Sequence, residues 1–210
     1  MLLASLNILA TDISTADATT LQNVTHLLNY VATNPNAKLL CKHSDVILRA
    51  HSDASYLCAP KARSRGAACI FLGDESFRNG AIQVLCKLCK IVVSSAAEAE
   101  LAALFMVGKQ CIPLRQALIE LGHPQPPTPL TTDNETAANL RNDTLKQKHS
   151  KSMDMRFYWV KDRVNQKQFS VSWKPGSDNL SDYHTKIHPE EHTLKIRPIY
   201  MHNSNSNPHL

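Results

Sequence analysis

The chain has 210 residues, 43% hydrophobic and 20% charged, a balance that excludes a disordered or collagen-like polypeptide and allows a sizeable core. Its formal charge of +5 is too small for a polycationic tail, and it is concentrated: between Arg141 and Lys167, eight Lys/Arg face only Asp143, Asp154 and Asp162. Such a segment is either a phosphate-binding face or a solvated helix.

Met1 to Ala10 is apolar but has no basic start, is too short to span a bilayer and is followed by Asp12, so neither a signal peptide nor a membrane anchor is expected. The six cysteines, at 41, 58, 69, 86, 89 and 111, contain one C-x-x-C. On a strand, Cys86 and Cys89 have opposite parity and point to opposite faces, a poor zinc or redox geometry. Reduced, partly buried thiols in an intracellular protein are the reading this favours.

Residues 1–40 read as helical. Leu21, Val24, Leu27, Leu28 and Val31 trace an amphipathic helix that Asn34-Pro35 closes. From Asp45 the period changes. Val46 to Asp53 is a strand candidate ending on an acid, Pro60 to Arg65 a basic loop, Gly66 to Leu72 a second strand, and Ala81 to Cys89 a third, after a turn ending Asn79-Gly80. Three strands joined by short turns make an antiparallel meander.

A helix follows from Ala96 to about Gln110, with Ser95 as N-cap in a Ser95-x-x-Glu98 capping box. Pro113 separates it from a second helical piece, Arg115 to Leu121, which Gly122 stops. Pro129 to Asp133 is a short strand ending on an acid, with a helix restarting at Asn134. Met153, Phe157, Val160 and Val164 mark another helix, and Phe169, Val171 and Trp173 alternate as a fifth strand. Asp178 then caps a last helix through about Lys186. The order βββαβαβα predicts an α/β fold: a mixed five-stranded sheet flanked by helices, preceded by a helical tail. Phe157 and Trp173 read as core on their spacing with Met153, Val160 and Val171, in preference to base-stacking platforms.

Four acids sit at informative places: Asp53 and Asp133 at strand ends, Glu98 or Glu100 on the first helix of the α/β region, and Asp182 on the last. Singly, each has an ordinary reading as a cap, turn or solvated residue. Jointly, four carboxylates from four elements suit a pair of hard divalent cations about 3.5–4 Å apart, the arrangement used for in-line phosphodiester displacement.

The blocks His51-Ser-Asp-Ala-Ser-Tyr56, Val93-Ser-Ser-Ala-Ala-Glu-Ala-Glu-Leu101, Thr132-Asp-Asn-Glu-Thr-Ala-Ala138, Lys151-Ser-Met-Asp-Met-Arg-Phe-Tyr158 and Asp178-Asn-Leu-Ser-Asp-Tyr-His-Thr-Lys186 occur in this order. Together they resemble the ribonuclease H domain at the end of the Pol polyprotein of copia-type LTR retrotransposons, from about Ser44 to Tyr200. The resemblance implies a ribonuclease H-like fold over 44–190, with 1–43 similar to the distal end of the preceding reverse transcriptase region and 191–210 a tail. The Tyr/Phe-x-Asp-Asp motif of a reverse transcriptase is absent from the chain.

It also implies the metal-binding and catalytic set Asp53, Glu100, Asp133 and Asp182, holding two Mg²⁺ ions or Mn²⁺. The expected reaction is endonucleolytic cleavage of the RNA strand of RNA·DNA hybrids, leaving 5′-phosphate and 3′-hydroxyl ends. Ser55, Arg63, Arg65, Asn134, Lys148 and Lys151 are the expected nucleic-acid contacts. A reverse transcriptase from an intact element is an expected partner, and the expected location is intracellular, in the cytoplasm, a retrotransposon particle or the nucleus. The alternative is a truncated, catalytically inactive remnant that at most binds nucleic acid. Cellular ribonucleases H carry a mobile histidine in the loop before the last aspartate; Trp173-Lys-Pro-Gly-Ser-Asp-Asn179 has none, and His184 and His188 come after Asp182.

Helix geometry separates the two glutamates independently. At ~100° per residue, Glu98 and Glu100 lie ~200° apart and cannot face one site. The N-cap occupies Glu98, which leaves Glu100 for the acids.

Overall fold

A computed structural model describes residues 2–73, 79–138 and 151–203. The chain opens with helices α1 (Leu3–Asp12) and α2 (Ala18–Thr33), followed by the two-residue strand β1 (Ala37–Lys38). The meander is β2 (Leu48–Ala59), β3 (Arg63–Leu72) and β4 (Ala81–Leu88). Then come α3 (Ala96–Glu120), β5 (Thr128–Thr132), the single turn α4 (Glu135–Ala138), α5 (Lys151–Asn165) and β6 (Phe169–Trp173). Two 3-10 turns, α6 (Glu190–Tyr200) and β7 (His202–Asn203) complete the order.

The main sheet runs β4-β3-β2-β5-β6. β3 is antiparallel to both β2 and β4, whereas β5 lies parallel to β2 and to β6. This is the mixed five-stranded α/β architecture of the ribonuclease H-like fold. The parallel register pairs His51 with Thr131, and continuing it by two residues sets Asp53 beside Asp133.

Alternation explains the core. Leu48 and Ala50 of β2, Ala68 and Ile70 of β3 and Leu130 of β5 are fully buried against Leu101, Leu104, Val107 and Cys111 of α3, with Phe157, Val160 and Phe169 closing the cluster. Each fully buried side chain of this size contributes roughly 1.5–3 kcal/mol. The meeting of α3 with β3 demands a small residue: a Cβ on Gly66 would stand 3.3 Å from Ala103 Cβ and from Met106 Cε.

Several expectations are corrected. The helix does not end before Pro113: α3 continues through it to Glu120. Proline removes one N–H···O bond, but Ile112, Leu114 and Leu118 pack on the core around it and hold the helix, while the ring faces solvent. Gly122, at φ +89°, gives the left-handed stop that the sequence predicts. β2 does not end at Asp53 but runs to Ala59, through a register shift between Ser55 and Ala59. The expected helix from Asp178 to Lys186 is instead a pair of 3-10 turns, Gly176–Asp178 and Asp182–His184, and the helix begins beyond Pro189.

The N-terminal segment packs on the sheet. Ala4 is buried, Asn7 Nδ2 donates to Cys86 O at 3.2 Å, and Arg65 Nε donates to Asn7 Oδ1 at 2.8 Å. β1 pairs antiparallel with β7. Leu21, Leu28 and Val31 of α2, read as one face of an amphipathic helix, are exposed. All six cysteines are free thiols. No helix among the described residues is long and apolar enough to cross a membrane.

Candidate functional site

Asp53, Glu100 and Asp133 converge from β2, α3 and the end of β5, each offering one carboxylate oxygen within 4.8 Å of the others. Asp53 and Glu100 are buried and Asp133 is half-buried. The helix start decides which glutamate takes part. Ser95 Oγ accepts from Glu98 N at 3.2 Å, making Ser95 the N-cap, while the Glu98 carboxylate accepts from Ser94 N at 2.7 Å. The capping box is therefore displaced by one residue, since its return bond goes to Ser94 and not to the cap residue. Two positions on, Glu100 Oε1 accepts from Ala54 N at 2.9 Å, and its Oε2 is buried without a hydrogen-bond partner.

Asp182 is not one of the three tightly grouped acids, and it lies on a 3-10 turn rather than a helix. A set of hydrogen bonds from its segment to β2 holds it beside them. Asn179 Nδ2 donates to Ser52 O at 2.7 Å, Leu180 N to His51 Nδ1 at 2.9 Å and Ser181 Oγ to His51 O at 2.7 Å. Thr185 Oγ1 donates to Asp53 Oδ2 at 2.7 Å. Lys186 Nζ donates to Asp182 Oδ1 at 2.7 Å, so this aspartate carries its own counter-charge.

The electrostatics express crowding. Burial first, then the charges of Asp53 and Asp133, raise the Glu100 carboxyl to about 9. Burial also raises Asp53, to about 6, with Asp133 and Asp182 adding and the Thr185 hydrogen bond opposing. Asp133 is raised chiefly by burial, with Asp182 contributing. Burial opposes the charge on Lys186, yet its hydrogen bond to Asp182 and the surrounding acids raise its pKa overall. Grouped oxygens, one of them unpartnered, and carboxyls held above their usual range fit a site for a hard divalent cation. Such a cation would add positive charge among these three acids, beside that of Lys186, which already acts on Asp53 and Asp133.

The remaining sequence candidates divide. Ser55 is half-buried and pairs with Arg65 across β2 and β3, close to Asp53. Asn134 is half-buried directly after Asp133, its N–H donating to Thr132 Oγ1 at 3.3 Å. Arg63 is half-buried at the turn end of the β2–β3 hairpin, paired with Ala59. Arg65 is a correction: it is 3% exposed, and Asn7 and Cys58 take its guanidinium, because α1 packs over this edge of the sheet. Lys148 lies outside the described residues, as does the Lys151 side chain.

His184, one of the histidines nearest the loop that lacks one, is buried, and its ring nitrogens have no hydrogen-bond partner. Burial drives its pKa down to about 3, so it is neutral and turned away from solvent. It lines a largely apolar cavity of about 250 Å³ with His51, Phe71 and Tyr200; none of the four candidate acids lines that cavity.

Two residues that matter here escaped the sequence reading. For Thr185, its position three residues after Asp182 is the only sequence signal. Trp173, read as core, is 50% exposed, and its indole Nε1 donates to Asp133 O at 2.8 Å. Alternation correctly put Phe169 inside but does not reveal where along a strand the cover ends.

A sheet of this order with carboxylates gathered across β2, α3 and β5 has the architecture expected of a ribonuclease H-like fold, with a candidate divalent-metal site. By sequence, the chain is similar to the retrovirus-related Pol polyprotein from transposon TNT 1-94 of Nicotiana tabacum, 29% identical over 163 residues. That alignment covers 78% of this chain and 12% of the relative, so the chain spans about an eighth of the relative's length. The resemblance to the ribonuclease H part of a retrotransposon Pol polyprotein thus agrees with both fold and sequence. No family model matches the chain.

Among solved structures, it resembles LC11-RNase H1 in complex with RNA/DNA hybrid, at 14% identity over 64% of this chain and 91% of that one, with a TM-score of 0.49. It also resembles the foamy viral protease-reverse transcriptase in complex with dsDNA, at 15% identity, 67% and 92% coverage and a TM-score of 0.48. A third is the N-terminal RNase H domain of rv2228c from Mycobacterium tuberculosis, at 15% identity, 73% and 96% coverage and a TM-score of 0.46.

Proposed function

We propose that this chain is a divalent-metal-dependent endonuclease that hydrolyses the RNA strand of RNA·DNA hybrids during reverse transcription of a retrotransposon. The observation that carries the reading is the meeting of Asp53, Glu100 and Asp133 from three separate elements, with Asp182 tied in beside them. Four carboxylates would hold two Mg²⁺ ions, and Mn²⁺ suits the same oxygen donors. When bound, the metal supplies the charge that activates water and stabilises the leaving 3′ oxygen, giving 5′-phosphate and 3′-hydroxyl ends.

The protein's own residues prepare that site. The Ala54 N–H fixes one oxygen of Glu100 and leaves the other buried without a hydrogen-bond partner; Thr185 orients Asp53; and the hydrogen bonds from Asn179 and Ser181 keep the Asp182 turn against β2. Ser55, Asn134 and Arg63 stand near enough in the chain to Asp53 and Asp133 to meet a duplex, whose grip comes from phosphate contacts and 2′-hydroxyls in the minor groove. A reverse transcriptase that positions the hybrid is the partner this reading implies.

Purified chain is incubated with labelled RNA·DNA hybrid, with and without Mg²⁺ or Mn²⁺. The expected result is metal-dependent cleavage of the RNA strand alone. Asp133→Asn, which removes a charge without changing side-chain size, should abolish cleavage while the folded spectrum and thermal midpoint remain. Equal cleavage by that variant overturns the site; hybrid binding without cleavage by the wild type favours the inactive remnant.

A further inference from the structure

We infer that Trp173 is a substrate-contacting residue, whose indole face packs on the ribose next to the phosphate to be cut while its N–H steadies Asp133. The inference rests on the proposed hybrid-cleaving reading and assigns a role to a residue outside the acid set. Three observations carry it.

The first is the departure of Trp173 from its own strand. Phe169 is 1% exposed, whereas Trp173 is 50% exposed, at the end of β6 beside Thr132. The chain's other tryptophan, Trp159, packs against Phe105 at 5.1 Å and Phe169 at 6.3 Å between ring centroids. Trp173 has no such aromatic neighbour recorded among the described residues.

Its hydrogen bond is the second. The indole is anchored by its Nε1–H on the Asp133 carbonyl, so its exposed surface is fixed next to a residue of the candidate site. An aromatic ring held by its polar edge presents a rigid apolar surface at small entropic cost. Sugar and base faces are the apolar surfaces a nucleic acid offers to such a ring.

The turn after Trp173 is the third. A Cβ on Gly176 would stand 3.3 Å from Asp133 Oδ2, so glycine lets the backbone pass the carboxylate with no side chain between them. Trp173 and Gly176 thus both adjoin Asp133, one through its indole and one through bare backbone. A strand whose phosphate reaches Asp133 brings an adjoining sugar across the indole.

The sequence contains two tryptophans, so Trp159→Phe leaves Trp173 as the sole indole reporter. That variant is titrated with an RNA·DNA hybrid, with Ca²⁺ replacing Mg²⁺ to suppress cleavage, while anisotropy of a label on the hybrid reads binding. Trp173 emission should fall and shift to shorter wavelength in step with binding. Trp173→Ala should weaken hybrid binding about tenfold, the scale of one aromatic contact to a nucleotide. Trp173→Phe keeps a ring but loses the N–H; it should bind within about threefold of wild type and show a lower kcat in Mg²⁺.

Unchanged Trp173 emission at saturating hybrid overturns the inference, as does normal binding and turnover by Trp173→Ala. Emission that responds in a wild-type active site that never cleaves supports the contact and overturns the hydrolytic reading. Cleavage with silent Trp173 does the reverse, and no binding of hybrid overturns both.

Discussion

Thr185 Oγ1 stands 2.7 Å from Asp53 Oδ2, a hydrogen bond between residues 132 positions apart in sequence. It joins the turn that carries Asp182 directly to the aspartate on β2. A donor on one carboxylate oxygen fixes the orientation of the Asp53 side chain. Partners behind a metal-binding carboxylate typically set affinity or activity by about 10–100-fold. Thr185→Val should therefore weaken Mn²⁺ binding, read by calorimetry, and slow hybrid cleavage by a factor in that range. Thr185→Ser should restore both, and a Thr185→Val protein with wild-type Mn²⁺ affinity would refute this role.

Glu98 and Glu100 should separate cleanly by substitution. Glu100→Gln is expected to lose at least about 100-fold in cleavage, exceeding the usual effect of a partner behind the ligands. Glu98→Ala should keep the chemistry and lose about 0.5–2 kcal/mol of stability, because it removes a bond at the start of α3. Urea unfolding and initial cleavage rates on both variants read the contrast; reversed effects would exchange the two residues' roles.

His184 gives a pH dependence whose sign can be worked out. Its folded pKa is about 3 against an ordinary 6.5, because burial penalises the cation. As pH falls below 6.5 the unfolded chain takes up a proton that the folded chain refuses, so stability is lost on acidification, by about 1.4 kcal/mol per pH unit at most. His51, lowered by burial and then by Lys174 to about 4, acts in the same sense. Asp53, raised to about 6, acts oppositely: the folded chain holds its proton first, and that stability is lost as pH rises through 6. The His184 contribution is consequently read as a difference, by urea unfolding of wild type and His184→Leu at pH 7, 6 and 5 in EDTA. The gap between the two should move in favour of the variant as pH falls; a constant gap would count against a buried neutral imidazole.

Asn7 ties the N-terminal helix to the domain through Arg65 and Cys86. Asn7→Ala leaves a buried guanidinium short of an acceptor, a loss of about 1–3 kcal/mol. Thermal or urea unfolding should register it, with cleavage per folded molecule unchanged. An unaltered midpoint would mean that α1 contributes nothing to holding Arg65.

Much of this architecture was readable from periodicity. The helical spacing of Phe157 and Val160 follows from burying one face of a local element, whereas β3 is an apolar run buried along both faces. The choice of Glu100 over Glu98 was likewise local, since a capping serine and ~200° of helix rotation separate them. Three features needed distant contacts. Pro113 stays within α3 because core packing around it outweighs one missing hydrogen bond. Arg65 is drawn inside because α1 supplies Asn7 as its acceptor. The segment after Asp178 remains a pair of 3-10 turns whose amide and side-chain donors reach His51, Ser52 and Asp53 on β2.

By itself, the sequence determined most of the elements and the carboxylates worth attention, because hydrophobic period and capping chemistry act within a few residues. Only the tertiary structure decided that Asp53, Glu100 and Asp133 share one space while Asp182 sits beside them paired with Lys186. It also decided that Trp173 stands half in solvent against Asp133. Those outcomes depend on strand order, on the parallel register of β2 with β5, and on where the covering helices stop, none of which is encoded in any single stretch of chain.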